Sequence, residues 1–279
     1  MERFNKAISE SGYCLKTLET YIHTRNQWAG RNIVYYDSID STNNEAKRLG
    51  KEGALHGTLV IAQQQTAGRG RLGRNWDSPK EQAIYMTLLI RPNISPQNAS
   101  KVTLIAALAA AKGIREVAGM PPQIKWPNDI VIHGKKLCGI LTEMNMESEN
   151  KFFLVVGIGI NCNRKDFPEE LKQTATSLYL ETKKEQSREQ LIAAVMYAFE
   201  QYYSVFIQTE NLSNLKQQYE CQLVNYNRDV RVLSPDHEYI GTSRGINEEG
   251  ELLVEDKSGQ MHAVRSGEVS VRGIYGYTI

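Results

Sequence analysis

The chain has 279 residues, 41% hydrophobic and 23% charged, the composition of a globular protein long enough to bury one large core, or a large one and a small one. Its 33 Lys plus Arg balance 32 Asp plus Glu, which excludes an overall basic field that would draw it to nucleic acid or an anionic membrane; any positive patch is local. The start lacks a signal-peptide core, no apolar run approaches the ~18 residues of a membrane span, and Cys14, Cys138, Cys162 and Cys221 are scattered without C-x-x-C spacing, which points to reduced thiols in a cytoplasmic protein.

In chain order, Ile8, Leu15, Leu18 and Ile22 recur at helical intervals, so residues 1–30 read as a short helical extension. Strands alternating with helices follow. Ile33 to Tyr36 is a strand, and Ser41 or Thr42 caps a helix with Glu45 as capping-box partner. Thr58 to Gln64 and Ala83 to Ile90 are strands, and Ala99 to Val117 is a long alanine-rich helix. Further strands are predicted at 123–126, 129–133, 137–145 and 152–160, then helices near 188–208 and 212–219. Beyond a boundary near Leu223 the strands shorten, at 229–233, 239–246, 252–255, 262–264 and 269–272, and turn residues separate them. That spacing predicts a small all-β barrel.

The first segment with chemical content is Gln65 to Trp76. Gly68, Gly70 and Gly73 match G-x-G-x-x-G after a strand, the signature of a dinucleotide turn. The context fails, because Asp77-Ser78-Pro79 opens no helix and no acidic residue stands ~20 positions on. An RGG-type nucleic-acid tail is the rival, weakened by a single repeat set between strands, and a plain exposed basic hairpin is as common as either. What the residues themselves offer is a glycine-spaced loop with Arg69, Arg71 and Arg74, able to fold over an anion.

Lys125-Trp126-Pro127-Asn128-Asp129 ends a strand and presents an amide and a carboxylate that can hold Mg2+ and its waters, or is simply a turn. Lys135-Lys136 enters an apolar strand with Gly139, where a lysine can neutralise two anions, or lies in a solvated turn. Gly157-Ile158-Gly159-Ile160-Asn161 places glycines inside an apolar strand, for close packing or for room beside a ligand.

With Asp40 to Asn43, Ala175 to Leu178 and Ser266 to Ser270, these segments in this order resemble the biotin protein ligase family over roughly residues 31 to 272. The resemblance implies an α+β fold: a mixed sheet with flanking helices, related to class II aminoacyl-tRNA synthetases, over residues 31–222, then an SH3-like barrel over 223–279. It implies that biotin and MgATP give biotinyl-adenylate and pyrophosphate, and that a lysine of a biotin carboxyl carrier protein domain, such as that of acetyl-CoA carboxylase, takes the biotin. By motif position, Ser41, Thr42, Asn43, Gln65 and Gly68 would serve biotin's ring, with Gly139, Leu141, Gly157 and Ile158 as pocket walls. Arg69, Arg71 and Lys136 would carry the catalysis at the carboxylate and α-phosphate. Arg71, Arg74, Trp76, Lys125, Asn128, Asp129 and Asn161 would serve the nucleotide, with Asp129 the Mg2+ ligand. No role falls to the cysteines or the five histidines.

Bifunctional members carry an N-terminal winged helix, whereas only about 30 residues precede the catalytic region here. The expectation is therefore the monofunctional type, with neither DNA nor membrane as partner. A homodimer is left open. A lipoate or octanoate ligase and a non-catalytic biotin sensor are the other classes to be separated.

Overall fold

The computed structural model describes residues 13–149, 151–233, 238–266 and 270–273. Helix α1 (Leu15–Arg25) buries Leu18 and Ile22 against the body, so the predicted extension is helical over its described part; residues 1–12, with Ile8, lie outside it. Then come β1 (Asn32–Ile39), α2 (Thr42–Lys51), β2 (Thr58–Gln65), β3 (Ile84–Ile90), α3 (Val102–Ala118), β4 (Gln123–Lys125), β5 (Asp129–Ile132), β6 (Lys135–Ser148) and β7 (Lys151–Ile160). These strands form one seven-stranded sheet in the order β1-β2-β3-β7-β6-β5-β4. β1 and β2 run parallel and the other neighbours antiparallel, which makes the sheet mixed.

After β7 come α4 (Leu178–Thr182), α5 (Arg188–Thr209) and α6 (Lys216–Glu220). The chain then enters a five-stranded antiparallel sheet of β8 (Asp229–Leu233), β9 (Glu238–Ile246), β10 (Leu252–Asp256), β11 (Met261–Val264) and β12 (Ser270–Gly273). The predicted fold class is the one observed. The 269–272 strand appears as β12, although Gly267 to Val269 lie outside the described residues.

Period-2 alternation splits the large sheet into two unlike faces. Leu59, Ile61, Ile84, Met86, Leu88, Ile158 and Ile160 join α3 and α5 in the main core. Alanines at 106, 107 and 109 to 111 let α3 approach closely, and at Gly113 a Cβ would lie 2.6 Å from Val195 Cγ2, so α3 and α5 nearly touch backbone to backbone. On the opposite face α2 packs over a small cluster of Ala46, Val60, Leu89, Phe153 and Val155. α2 covers part of that face, and the chain around Trp76 lies over another part.

Three local expectations are corrected. The N-cap of α2 is Ser41, whose side chain makes no capping bond. That puts Glu45 one residue too far along for a capping box, and it binds Tyr36 and Arg48 instead. The α3 segment begins as a 3-10 turn over Pro96–Lys101 before the α-helix starts. The predicted 212–219 helix shrinks to α6, and α4, capped by Ser177 on Leu180 N, was not foreseen.

Candidate active site

The open part of the sheet face is paved with glycine. Gly139 pairs with Gly159 across β6 and β7, Leu141 with Gly157, and β3 continues the row with Tyr85 opposite Gly159 and Thr87 opposite Gly157. Without side chains, these positions admit neighbours that a Cβ would displace. At Gly159 a Cβ would come 2.7 Å from the Trp76 ring and at Gly139 2.8 Å from it, so the indole rests on this pair. At Gly157 it would fall 2.1 Å from Asn43 Oδ1.

A pocket over this platform is lined by Ser41, Thr42, Asn43, Gln65, Arg69, Arg71, Trp76, Asn128, Lys136, Gly139, Leu141, Gly157 and Ile158, among others. Its inner end is polar. Gln65 Oε1 accepts from Thr42 N at 2.9 Å and from Thr42 Oγ1 at 3.0 Å, while Gln65 Nε2 donates to Ser78 Oγ. Asn43 Oδ1 lies 2.7 Å from the Thr87 hydroxyl, and Asn43 Nδ2 donates to Glu143 and to Leu141 O. Ser41 is 1% exposed and its hydroxyl has no partner among the described residues. A buried polar atom left without a partner is costly, so this end suits a ligand with polar groups of its own.

The other end is cationic. Lys136 Nζ lies 2.7 Å from Asp129 Oδ1 and 5.3 Å from the centre of the Trp76 ring. Arg71 donates to Asn128 Oδ1 and to Ser266 O of the small domain, and its pKa is depressed chiefly by burial. Lys125, across the β4–β5 pair from Asp129, is 7% exposed, and burial brings its pKa down to about 8. A second cavity adjoins the first, lined by Arg74, Trp76, Lys136, Asn161, Phe167, Leu171 and, from β12, Arg272. Trp76 and Lys136 face both cavities.

Several predicted residues sit differently from expectation. Gly68 lies under the chain at 76–78, where a Cβ would meet Trp76 O at 2.4 Å, so it closes the base of the loop and does not line the pocket. Ile158 borders the pocket, but its side chain is turned into the main core. Arg69 lines the pocket with its guanidinium engaged by Asn44 Oδ1 at 2.8 Å and by Glu143 at 3.3 Å. Asn161 is buried and its amide donates to Thr176 O.

Among the described residues no group of three or more His, Cys, Asp or Glu could hold a metal ion, and the Asp129 carboxylate is engaged by Lys136. Those donors do not make a resident Mg2+ site. Sequence reasoning missed Glu143, which ties Lys47, Asn43 and Arg69 together, and Arg272. Glu143 stands two residues beyond Leu141 on the same strand face, so alternation could have found it. Arg272 had no such local signal.

The sequence matches the Biotin/lipoate A/B protein ligase family over residues 35–161 and the Biotin protein ligase C terminal domain over 226–272. Among curated relatives, the bifunctional ligase/repressor BirA of Bacillus subtilis is 37% identical over 263 residues, 91% of this chain and 81% of that protein. A biotin–[acetyl-CoA-carboxylase] ligase of Mycobacterium tuberculosis is 31% identical over 86% of this chain and 88% of its own. Among solved structures, biotin protein ligase from Aquifex aeolicus in complex with biotin and ATP superposes with a TM-score of 0.77 at 32% identity. It covers 87% of this chain and 99% of that one.

Proposed function

The chain belongs to the biotin protein ligase family and is an enzyme of that kind, and from that premise we propose how its two cavities divide the reaction. Biotin occupies the glycine-paved pocket, with its ring urea toward Ser41, Thr42 and Gln65 and its carboxylate toward Lys136. ATP occupies the second cavity, where Arg74, Trp76 and Arg272 receive it. An oxygen of the biotin carboxylate attacks the α-phosphorus, the bond to pyrophosphate breaks, and biotinyl-5′-adenylate forms. The ε-amine of a lysine on a biotin carboxyl carrier protein domain then attacks the acyl carbon. An amide forms, AMP leaves, and the amine proton passes to solvent.

The observation that carries this reading is that Lys136 faces both cavities. Bringing a carboxylate against a phosphoryl group gathers two anions, and a preplaced cation between them stabilises the charge that spreads in the transition state. Arg71 and Lys125 extend the same positive field. Magnesium enters as part of MgATP, since Asp129 is already neutralised by Lys136 and Mg2+ is commonly bound through substrate phosphates with only one or two carboxylates. The Gly68 to Arg74 loop covers the adenylate and keeps water from it.

Labelled biotin and labelled lipoate offered with MgATP and a carrier domain test the assignment. Biotin is incorporated with release of one pyrophosphate per biotin. Preferential incorporation of lipoate, or binding of biotin without pyrophosphate release, would overturn it.

A further inference from the structure

The polar end of the first pocket is a chain of oxygen contacts. Gln65 Oε1 lies 3.0 Å from Thr42 Oγ1, Thr42 Oγ1 lies 2.8 Å from Thr87 Oγ1, and Thr87 Oγ1 lies 2.7 Å from Asn43 Oδ1. Both terminal members are amides, and their orientation decides how many protons the chain holds. The Gln65 amide is fixed by Thr42 N, which donates to Oε1 at 2.9 Å, and by its own Nε2, which donates to Ser78 Oγ. The Asn43 amide is fixed by Glu143: Nδ2 donates to Glu143 Oε2 at 2.8 Å, with Leu141 O a longer second acceptor at 3.2 Å. A carboxylate accepts and cannot donate, so it keeps Nδ2 on its own side and leaves Oδ1 toward Thr87.

Three contacts then share two hydroxyl protons, those of Thr42 and Thr87. With Thr87 donating to Asn43 and Thr42 donating to Thr87, no proton is left between Thr42 Oγ1 and Gln65 Oε1. That contact is the longest of the three, and both its residues line the pocket. Turning the Asn43 amide over would complete the chain, since Nδ2 would then supply the missing hydrogen to Thr87. Glu143 opposes that turn. Glu143 and Thr87 do not line the pocket themselves, and no member of the chain lines the second cavity.

We propose that Glu143 is a positioning residue that sets the polarity of the first pocket. By holding the Asn43 amide it leaves the chain from Gln65 to Asn43 one proton short, so the pocket selects a ligand that brings an N–H donor to Thr42 and Gln65. This rests on the assignment of biotin to that pocket, whose ring urea carries such donors. An N–H arriving there fills an unmade bond, whereas in a chain already complete it would compete with bonds already made.

The experiment measures biotin binding by calorimetry without ATP, and ATP KM from pyrophosphate release at saturating biotin. It compares wild type with E143L, E143Q, T87V, T87S and the double variant E143L/T87V. Glu143→Leu removes the acceptor and frees Asn43 to turn, while Glu143→Gln removes the charge beside Lys47 and Arg69 but keeps an oxygen for Asn43. Thr87→Val takes out the middle of the chain, so that the Thr42 proton passes to Gln65, and Thr87→Ser restores it. E143L and T87V each bind biotin about tenfold more weakly. The double variant binds no more weakly than either, because both changes act on one missing proton. E143Q and T87S stay within about threefold of wild type, and ATP KM stays within about twofold throughout. Unchanged affinity in E143L and T87V, E143Q binding as weakly as E143L, or additive losses in the double variant overturns the positioning role. Where E143L does not fold, T87V against T87S decides. Failure of wild type to bind biotin would instead overturn the assignment on which the role rests.

Discussion

At Ser41 a buried hydroxyl finds no partner among the described residues, an arrangement that costs stability. Ser41→Ala therefore leaves the melting temperature unchanged or slightly raised while weakening biotin binding about tenfold, and calorimetry of binding beside thermal unfolding separates the two effects. Lys136→Ala acts on the reaction, not the fold. Loss of the cation facing both cavities lowers the rate of adenylate formation by about a hundredfold with an unchanged circular dichroism spectrum, and near-normal pyrophosphate exchange would refute its role. Lys125 gives a signature in pH. Burial holds its pKa at about 8, whereas the unfolded chain keeps the proton to ~10.4. Between those values the unfolded state binds more protons, so this group makes stability rise with pH. On the proposed role of Lys125 beside the nucleotide, ATP binding moves the opposite way, because that cation is lost as pH climbs through about 8. Urea midpoints and ATP KM followed from pH 7 to 10 show both trends in wild type, and K125M flattens both.

Among elements, the glycine pairs of β6 and β7 are the most restrictive. Gly159→Ala places a methyl 2.7 Å from the Trp76 ring. Since that indole is a wall of both cavities, affinity for biotin and for ATP should fall together in titrations of each; a change in one alone would count against the shared wall. The strands around this platform were legible because alternation and glycine punctuation are local signals. So was the polar start of α2, as Ser41, Thr42 and Asn43 lie together in sequence and in the pocket. What did not show was whatever depends on partners far along the chain. The engagement of Arg69 by Asn44 and Glu143, the seat of Ile158 in the main core and the arrival of Arg272 from β12 are settled by tertiary packing. The capping box failed for a smaller reason: the helix begins one residue earlier than Glu45 requires.

At the scale of the whole molecule the two sheets share buried contacts, from Trp126 on Gly250 to Leu104 and Leu212 packed beside that glycine. Scanning calorimetry should accordingly give one cooperative unfolding transition, and two resolved transitions would show that the sheets melt independently. The unequal faces of the large sheet have a broader consequence. α3 and α5 gather the main core on one side, while the ligand pocket lies on the side where α2 stops short. The recognition surface is therefore largely decoupled from the residues that keep the protein folded. On the proposed assignment of biotin to this pocket, Thr42 and Gln65, which bond to one another and, through Thr42, to Thr87, would be exchanged as a set to admit altered analogues while the hydrophobic interior stays filled, so this architecture suits redesign of which small acid is attached.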